Sequence, residues 1–508
     1  MGVLLKKSKV NKLRLNTVSS FLLQIVSIAS GLIIPRLILV AYGSEVNGLI
    51  NSILQFLYII SFMELGVGAV VQSELYKPLA YNDSKAISEI LRSTEKFFRT
   101  IAAAFVGYSI VLVIVYPNII NNKFDTLFTI ALIAAIGLNN IFQYYIGMPE
   151  RLLLLADQKG YIYYFSQTII LVANTVISVI MIEFGAEIQT VKFVSALVFF
   201  LRPLFLRLYV NKHYSIDRNI RYQGEPIKQK WNGLAQHVAA VILDQTDVVI
   251  LTLFSTLSNV SIYSVYHLVT FGIKNLFLSL MGGIQPLMGE YIARNEKEKL
   301  SALFDWTEWL IHTGTTFVFL CAGVLIVPFV EVYTKGVNDA NYVVPMFAAL
   351  IVAANAGHCL RLPYNIMILA AGHYKQTQHN YIIAAIMNVL ISALAVRRWG
   401  LVGVVVGTLV AMLYQTIWMA YYDSKNILEF PINRFWKHLF VDIIIVIISI
   451  VATMPFSMRG IDYVSWIVLA VQKGLICLII TVVTNMVFYN DMMKKLRIVL
   501  LKKDERII

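Results

Sequence analysis

Six charged side chains stand inside long apolar runs: Arg36, Glu64, Asp244, Asp247, Lys274 and Arg361. A charge in hydrocarbon is costly and faces a water-filled cavity or a partner, so ion or anion chemistry has to be built from these residues. Gln236, Ala240, Asp244 and Asp247 are spaced i, i+4, i+8, i+11, which places them on one helical stripe, with His237 beside it. Two carboxylates on one buried face can share a proton or coordinate sodium, and Asp244 and Asp247, with Glu64, are the ion-coupling candidates. Tyr263, His267, Thr270 and Lys274 follow i, i+4, i+7, i+11, a second stripe too polar for lipid. The plainer reading is helix contact, because small and hydroxyl residues line packed membrane interfaces, and an ion pair of Lys274 with Asp244 would neutralise both. Arg36 follows Pro35 near the end of its run, from where it could snorkel. Arg361 stands just before Pro363, Glu64 lies off the polar stripe of its helix, and His312 and His358 read as packed residues.

Chemistry of other kinds is missing. The sequence has no P-loop and no HExxH, GxSxG or GxGxxG pattern, so neither an enzyme nor a cofactor is expected. Cys321, Cys359 and Cys477 all lie within apolar runs and suggest neither a disulfide framework nor a metal site.

The elements that must carry these residues follow from composition. Of 508 residues 58% are hydrophobic and 14% charged, with a mean hydropathy of +0.71, against about 25% charge in soluble domains. At about 20 to 25 residues per crossing, the apolar runs predict an all-α polytopic membrane protein with about fourteen transmembrane helices. Six crossings fall between Thr17 and Val210, six between Leu234 and Tyr422, and two more at Phe440 to Met454 and Val464 to Phe488. The expected organisation is a six-helix bundle over 1–210, a linker over 211–233, a second bundle over 234–422, and a helix pair with a basic tail over 423–508. With the N-terminus inside, most of the 42 Lys and Arg fall in cytoplasmic loops and tails, the side that collects them. Both termini are therefore expected in the cytoplasm, and the net charge of +13 is assigned to anionic membrane lipids and not to nucleic acid. The basic N-terminus runs into the first apolar stretch without a cleavage site and reads as a start-transfer span.

The two bundles repeat. An offset of 216 residues pairs Asn16 with Asn232 and Glu74 with Glu290, and an offset of 214 pairs Pro149 with Pro363. At 216, Asn51 occupies the place of His267 and joins the cavity-lining candidates Gln236, His237, Tyr263, His267 and Thr270. An even number of crossings per half makes the repeat parallel, and such transporters bind substrate between their halves.

The run RLILVAYGSEVNGLINSILQFLYIISFMELGVGAVVQSELYKPLAYND, together with LVGVVVGTLVAMLYQ, resembles the bacterial polysaccharide repeat-unit flippases, the Wzx-like branch of the multidrug/oligosaccharidyl-lipid/polysaccharide exporter superfamily. The resemblance implies a flippase in the bacterial cytoplasmic membrane that moves a polyprenyl-pyrophosphate-linked oligosaccharide outward by alternating access, for capsule or O-antigen assembly. It also implies a cationic cavity, for which Arg36, Lys274 and Arg361 are the pyrophosphate-binding candidates here; H+ or Na+ as coupling ion is the expectation from the carboxylates. A peptidoglycan-precursor flippase fits fourteen crossings equally well. A multidrug cation antiporter would typically have twelve crossings and an acid-dominated cavity. A membrane glycosyltransferase or polymerase would need a large outside loop, which this layout lacks.

Overall fold

The computed structural model describes residues 2–59, 67–121, 123–222, 241–243, 245–281 and 284–501, and every regular element among them is helical. The chain divides into two compact units, Met1–Val238 and Ala239–Ile508. Twelve helices among the described residues are long and apolar enough to cross a membrane. The first of these joins two of the expected crossings, and a third of the expected seventh falls on residues outside the description. The protein is a multi-pass membrane protein, and side chains such as Ile447, Val451, Val468 and Val471 form the apolar exterior that lipid covers.

In the first unit α1 spans Gly2–Tyr58 and breaks at Gly43, whose φ of 84° and ψ of 174° suit only glycine. Then come α2 (Val67–Tyr81), α3 (Ser84–Ile119) and α4 (Thr126–Phe142), and a π turn over Gln143–Gly147 leads into α5 (Met148–Ala156), α6 (Gly160–Glu183) and α7 (Ile188–His213). Asp83 and Asp125 cap α3 and α4, accepting from the backbone N–H of Ala86 and Phe128, donors that a helix start otherwise leaves unpaired. Beyond α7 the chain turns back, and the Arg218 guanidinium pairs with Glu95 of α3, with Glu150 of α5 at 2.9 Å, and with Asn211.

The second unit holds α8 (Asp247–Phe254), α9 (Leu257–Met281), α10 (Ile284–Ala293), α11 (Lys297–Tyr333), α12 (Pro345–Leu360), α13 (Leu362–Ala370), α14 (Tyr374–Trp399) and α15 (Leu401–Asn426). The helix starts at Ser84, Met148, Gly160 and Ile188 recur 213 or 214 residues later at Lys297, Leu362, Tyr374 and Leu401, so the internal repeat is a repeat of structure. The structural register differs slightly from the 216 of the sequence match in the third helix: at 213 Glu95 falls on Glu308. The C-terminal pair, α16 (Asn433–Thr453) and α17 (Tyr463–Phe488), packs on α11 through Leu320, Val441, Ile445 and Cys477, and α18 (Asn490–Leu501) follows. Cys477 is a small buried residue there.

Candidate functional site: an ion-sized cavity in the second unit

Asp247 opens α8, where the positive end of the helix dipole favours a carboxylate. It is only 5% exposed. The Tyr263 hydroxyl on α9 donates to Oδ2 at 2.9 Å, and the Thr408 hydroxyl on α15 lies 2.8 and 2.9 Å from Oδ1 and Oδ2. Hydrogen bonds to an ionised acceptor are the strong ones, so donors on two further helices hold the carboxylate in place.

Backbone approach makes this geometry available. Gly403 and Gly407 form a GxxxG pair on α15, the spacing that lets membrane helices touch. A Cβ on Gly407 would stand 2.7 Å from the Ser392 nitrogen and 2.9 Å from the Asn388 carbonyl oxygen. With α14 and α15 so close, Ser392 donates to the Val404 carbonyl at 2.8 Å and the Asn388 amide donates to the Leu243 carbonyl at 2.9 Å, anchoring the chain ahead of α8. Thr408 follows Gly407 directly and is carried to Asp247 by the same contact.

Asp247, Tyr263, His267 and Lys274 line one cavity with Asn355, His358 and Thr408. Its volume is about 20 Å³, room for about one water. His267 stacks between Tyr263 and Phe271, with ring centroids 5.4 and 5.1 Å away. Lys274 is also 5% exposed, and its Nζ lies 5.2 Å from the centre of the Phe271 ring, within the range at which a cation is attracted to a π face. A carboxylate with tyrosine and threonine hydroxyls is an all-oxygen set suited to a proton or a hard cation, and Lys274 puts a positive charge on the wall of the same space.

The other candidates lie elsewhere. Arg361 is buried between α12 and α13, where it pairs with Gln415 of α15 and approaches the His358 ring at 3.4 Å. It stands one residue behind the cavity. Arg36 is half-buried on α1 of the first unit. The Asn51 amide donates to its own helix at the Asn47 carbonyl, 2.8 Å away. Thr270 is fully buried and turned to the Tyr266 and His267 carbonyls, so the stripe continues through it without its hydroxyl lining the cavity. Glu64, Gln236, His237 and Asp244 lie outside the described residues. Sequence reasoning passed over Thr408 and Asn355 and took His358 for packing. The signals were there: a hydroxyl directly after GxxxG, and Asn and His three residues apart in a run of small residues. The first unit carries a related pair, in which Arg202 of α7 donates to Gln143 at 2.6 Å and pairs with Gln167 of α6. Gln415 occupies the place of Arg202 in the repeat, so the arginine and glutamine exchange helices between the units.

No family model matches the sequence, and no curated protein matches it. Solved structures do match. The lipid II flippase MurJ in its inward closed conformation has a TM-score of 0.68 at 14% identity, covering 94% of this chain and 99% of that one. An inward-facing multidrug resistance MATE transporter of the MOP superfamily has a TM-score of 0.60 at 13% identity, covering 79% of this chain and 95% of its own. A MOP superfamily transporter from Pyrococcus furiosus, described as having a binding pocket of reverse polarity, has a TM-score of 0.55 at 12% identity over 81% of this chain and 95% of its own. What this chain has in common with these transporters is their fold.

Proposed function

We propose that this chain is an alternating-access transporter that moves a polyprenyl-pyrophosphate-linked oligosaccharide from the inner to the outer leaflet of the bacterial cytoplasmic membrane, both termini in the cytoplasm, with H+ or Na+ bound at Asp247. The observation that carries this reading is the small cavity that Asp247 and Lys274 both line. A space that holds about one water takes an ion and excludes a sugar phosphate, so closed it serves coupling, and the pyrophosphate meets Lys274 only when alternating access opens this space, with Arg361 supporting the wall behind; Arg36 of the first unit is a separate cationic contact. The lipid-linked class draws support from the match to a lipid II flippase over 94% of the chain, where the MATE transporter matches over 79%. That same match favours a second reading, in which the sugar is a peptidoglycan precursor.

Proteoliposomes holding the full chain and a fluorescent polyprenyl-pyrophosphate sugar test the proposal. Lys274→Ala and Arg36→Ala should each slow flipping by about tenfold or more, the worth of one charge-assisted hydrogen bond. Lys274→Arg should keep part of the rate and Lys274→Glu should abolish it, because a fork and a point charge grip a diphosphate differently. Full flipping by both Ala variants would refute the assignment. Transport of a lipid II analogue in preference to a polymer repeat unit would select the second reading.

A further inference from the structure

The second unit contains another set of buried ionisable side chains, none of which lines the Asp247 cavity, where α16 docks on α11. Glu308 and His312 stand one turn apart on α11, each 1% exposed. The Tyr364 hydroxyl of α13 donates to Glu308 Oε1 at 2.7 Å and lies 3.2 Å from His312 Nε2. The other ring nitrogen, Nδ1, is 2.6 Å from Asp442 Oδ2 of α16. All three links fall within the roughly 2.6 to 3.2 Å over which protons are transferred. His438, one turn before Asp442, stacks on His312 with centroids 4.9 Å apart and brings its Nε2 to 3.6 Å from Glu308 Oε2.

The surroundings leave protons to be shared. Among the described residues neither oxygen of the buried Asp423, on α15, has a hydrogen-bond partner, and this carboxyl is an electrostatic neighbour of Glu308 and Tyr364. Glu308 Oε2 is likewise buried without one among them. The nearby positive charge is engaged: Arg434 pairs with Asp305 at 2.6 Å, and Lys437 sits 4.8 Å from the centre of the Tyr489 ring. The Tyr489 hydroxyl in turn lies 2.9 Å from His438 Nδ1.

A tyrosine hydroxyl carries one proton, and that decides how the chain of four can be satisfied. With Glu308 ionised, Tyr364 donates to it and offers His312 only lone pairs, so His312 Nε2 is satisfied only if it carries a proton. With Glu308 protonated, Glu308 donates to the Tyr364 oxygen, Tyr364 donates to Nε2, and a neutral His312 donates from Nδ1 to Asp442. We propose that Glu308, Tyr364, His312 and Asp442 form a proton site at the junction between the repeat and the C-terminal helix pair, taking up one proton at Glu308 and relaying it to His312. In the relay the Glu308 O–H bond breaks as its proton joins the Tyr364 oxygen, and the original Tyr364 proton moves to His312 Nε2. The products are a carboxylate, an unchanged tyrosine and an imidazolium facing the Asp442 carboxylate. Opposite charges then face each other across this contact where only the acceptor was charged before, so proton uptake tightens α16 against α11. The site is separate from the coupling role given to Asp247 and requires no particular transport substrate.

The full chain in lipid, with isotope-labelled histidine, is taken from about pH 9 to about pH 5, the range over which a histidine exchanges charge. Ring-nitrogen resonances report histidine protonation, and the infrared C=O band of a solvent-shielded carboxylic acid reports Glu308 in the same sample. The wild type should convert one buried histidine, identified by its loss in His312→Gln, from singly to doubly protonated, and gain no such acid, because the proton leaves Glu308 for the ring. Glu308→Gln should lose the histidine change, because a carboxamide takes up no proton. Tyr364→Phe cannot pass the proton on, and should instead gain the acid band and lose the histidine change. A wild type whose histidine does not convert overturns the proposal, and so does a Tyr364→Phe variant whose histidine still converts. The wild-type titration decides the matter even if a variant fails to insert.

Discussion

Replacing Arg218 by Ala removes the guanidinium that ties the segment after α7 to two buried acids. Their environments differ, and that sets the magnitude. Glu95 keeps Arg92 at 3.4 Å and Arg99 at 3.6 Å. The Glu150 side chain is 2% exposed, Oε1 bonds Arg218, and Oε2 is buried without a hydrogen-bond partner among the described residues. Arg218→Ala therefore leaves the buried Glu150 with only the field of Arg207 and no hydrogen-bonded cation, a loss of about 3 to 5 kcal/mol. For a unit of this size each kcal/mol moves the midpoint by about 2 to 4 °C, so thermal melting of the purified chain should show a drop on the order of 10 °C. Adding Glu150→Gln removes the stranded charge and should restore all but about 1 kcal/mol, the net worth of a lost neutral hydrogen bond. Arg218→Lys keeps the charge but cannot fork between two carboxylates, and should fall between. A midpoint for Arg218→Ala within a degree or two of wild type, or no recovery with Glu150→Gln, would show that the buried charge does not control stability here.

Two further outcomes are expected in the second unit. Gly407→Val should overpack the contact between α14 and α15 by about 1 to 3 kcal/mol and draw Thr408 away from Asp247, lowering both the melting midpoint and transport, whereas Gly272→Ala on α9, where a Cβ meets nothing within 4 Å, should change neither; equal behaviour of the two variants would contradict the packing argument. Asp247→Asn keeps the side chain's shape and one acceptor oxygen but removes the charge, so the dependence of flipping on pH or sodium should disappear, and an unchanged dependence would take Asp247 out of the coupling.

Run length and the position of charge are local properties, and the features that depend on them were legible in the sequence. Apolar stretches long enough to span a bilayer determined an all-helical membrane protein, and the pairing of Pro149 with Pro363 marked the helix breaks that start α5 and α13. The 3.6-residue period was enough to put Tyr263, His267 and Lys274 on one face, and these three do line one cavity with Asp247. Periodicity gives the direction of a side chain without saying what waits there. Thr270 lies on the same stripe and turns to its own backbone, and Arg361 meets Gln415 instead of open space. The contacts that define the sites join residues far apart in the chain: Thr408 reaches Asp247 across 161 positions, His312 reaches Asp442 across 130, and Arg218 reaches Glu95 across 123. No local pattern encodes such pairs. Which helices approach closely enough to exchange a hydrogen bond depends on the whole packing of a unit, so the tertiary structure alone decided which charges are held and by what.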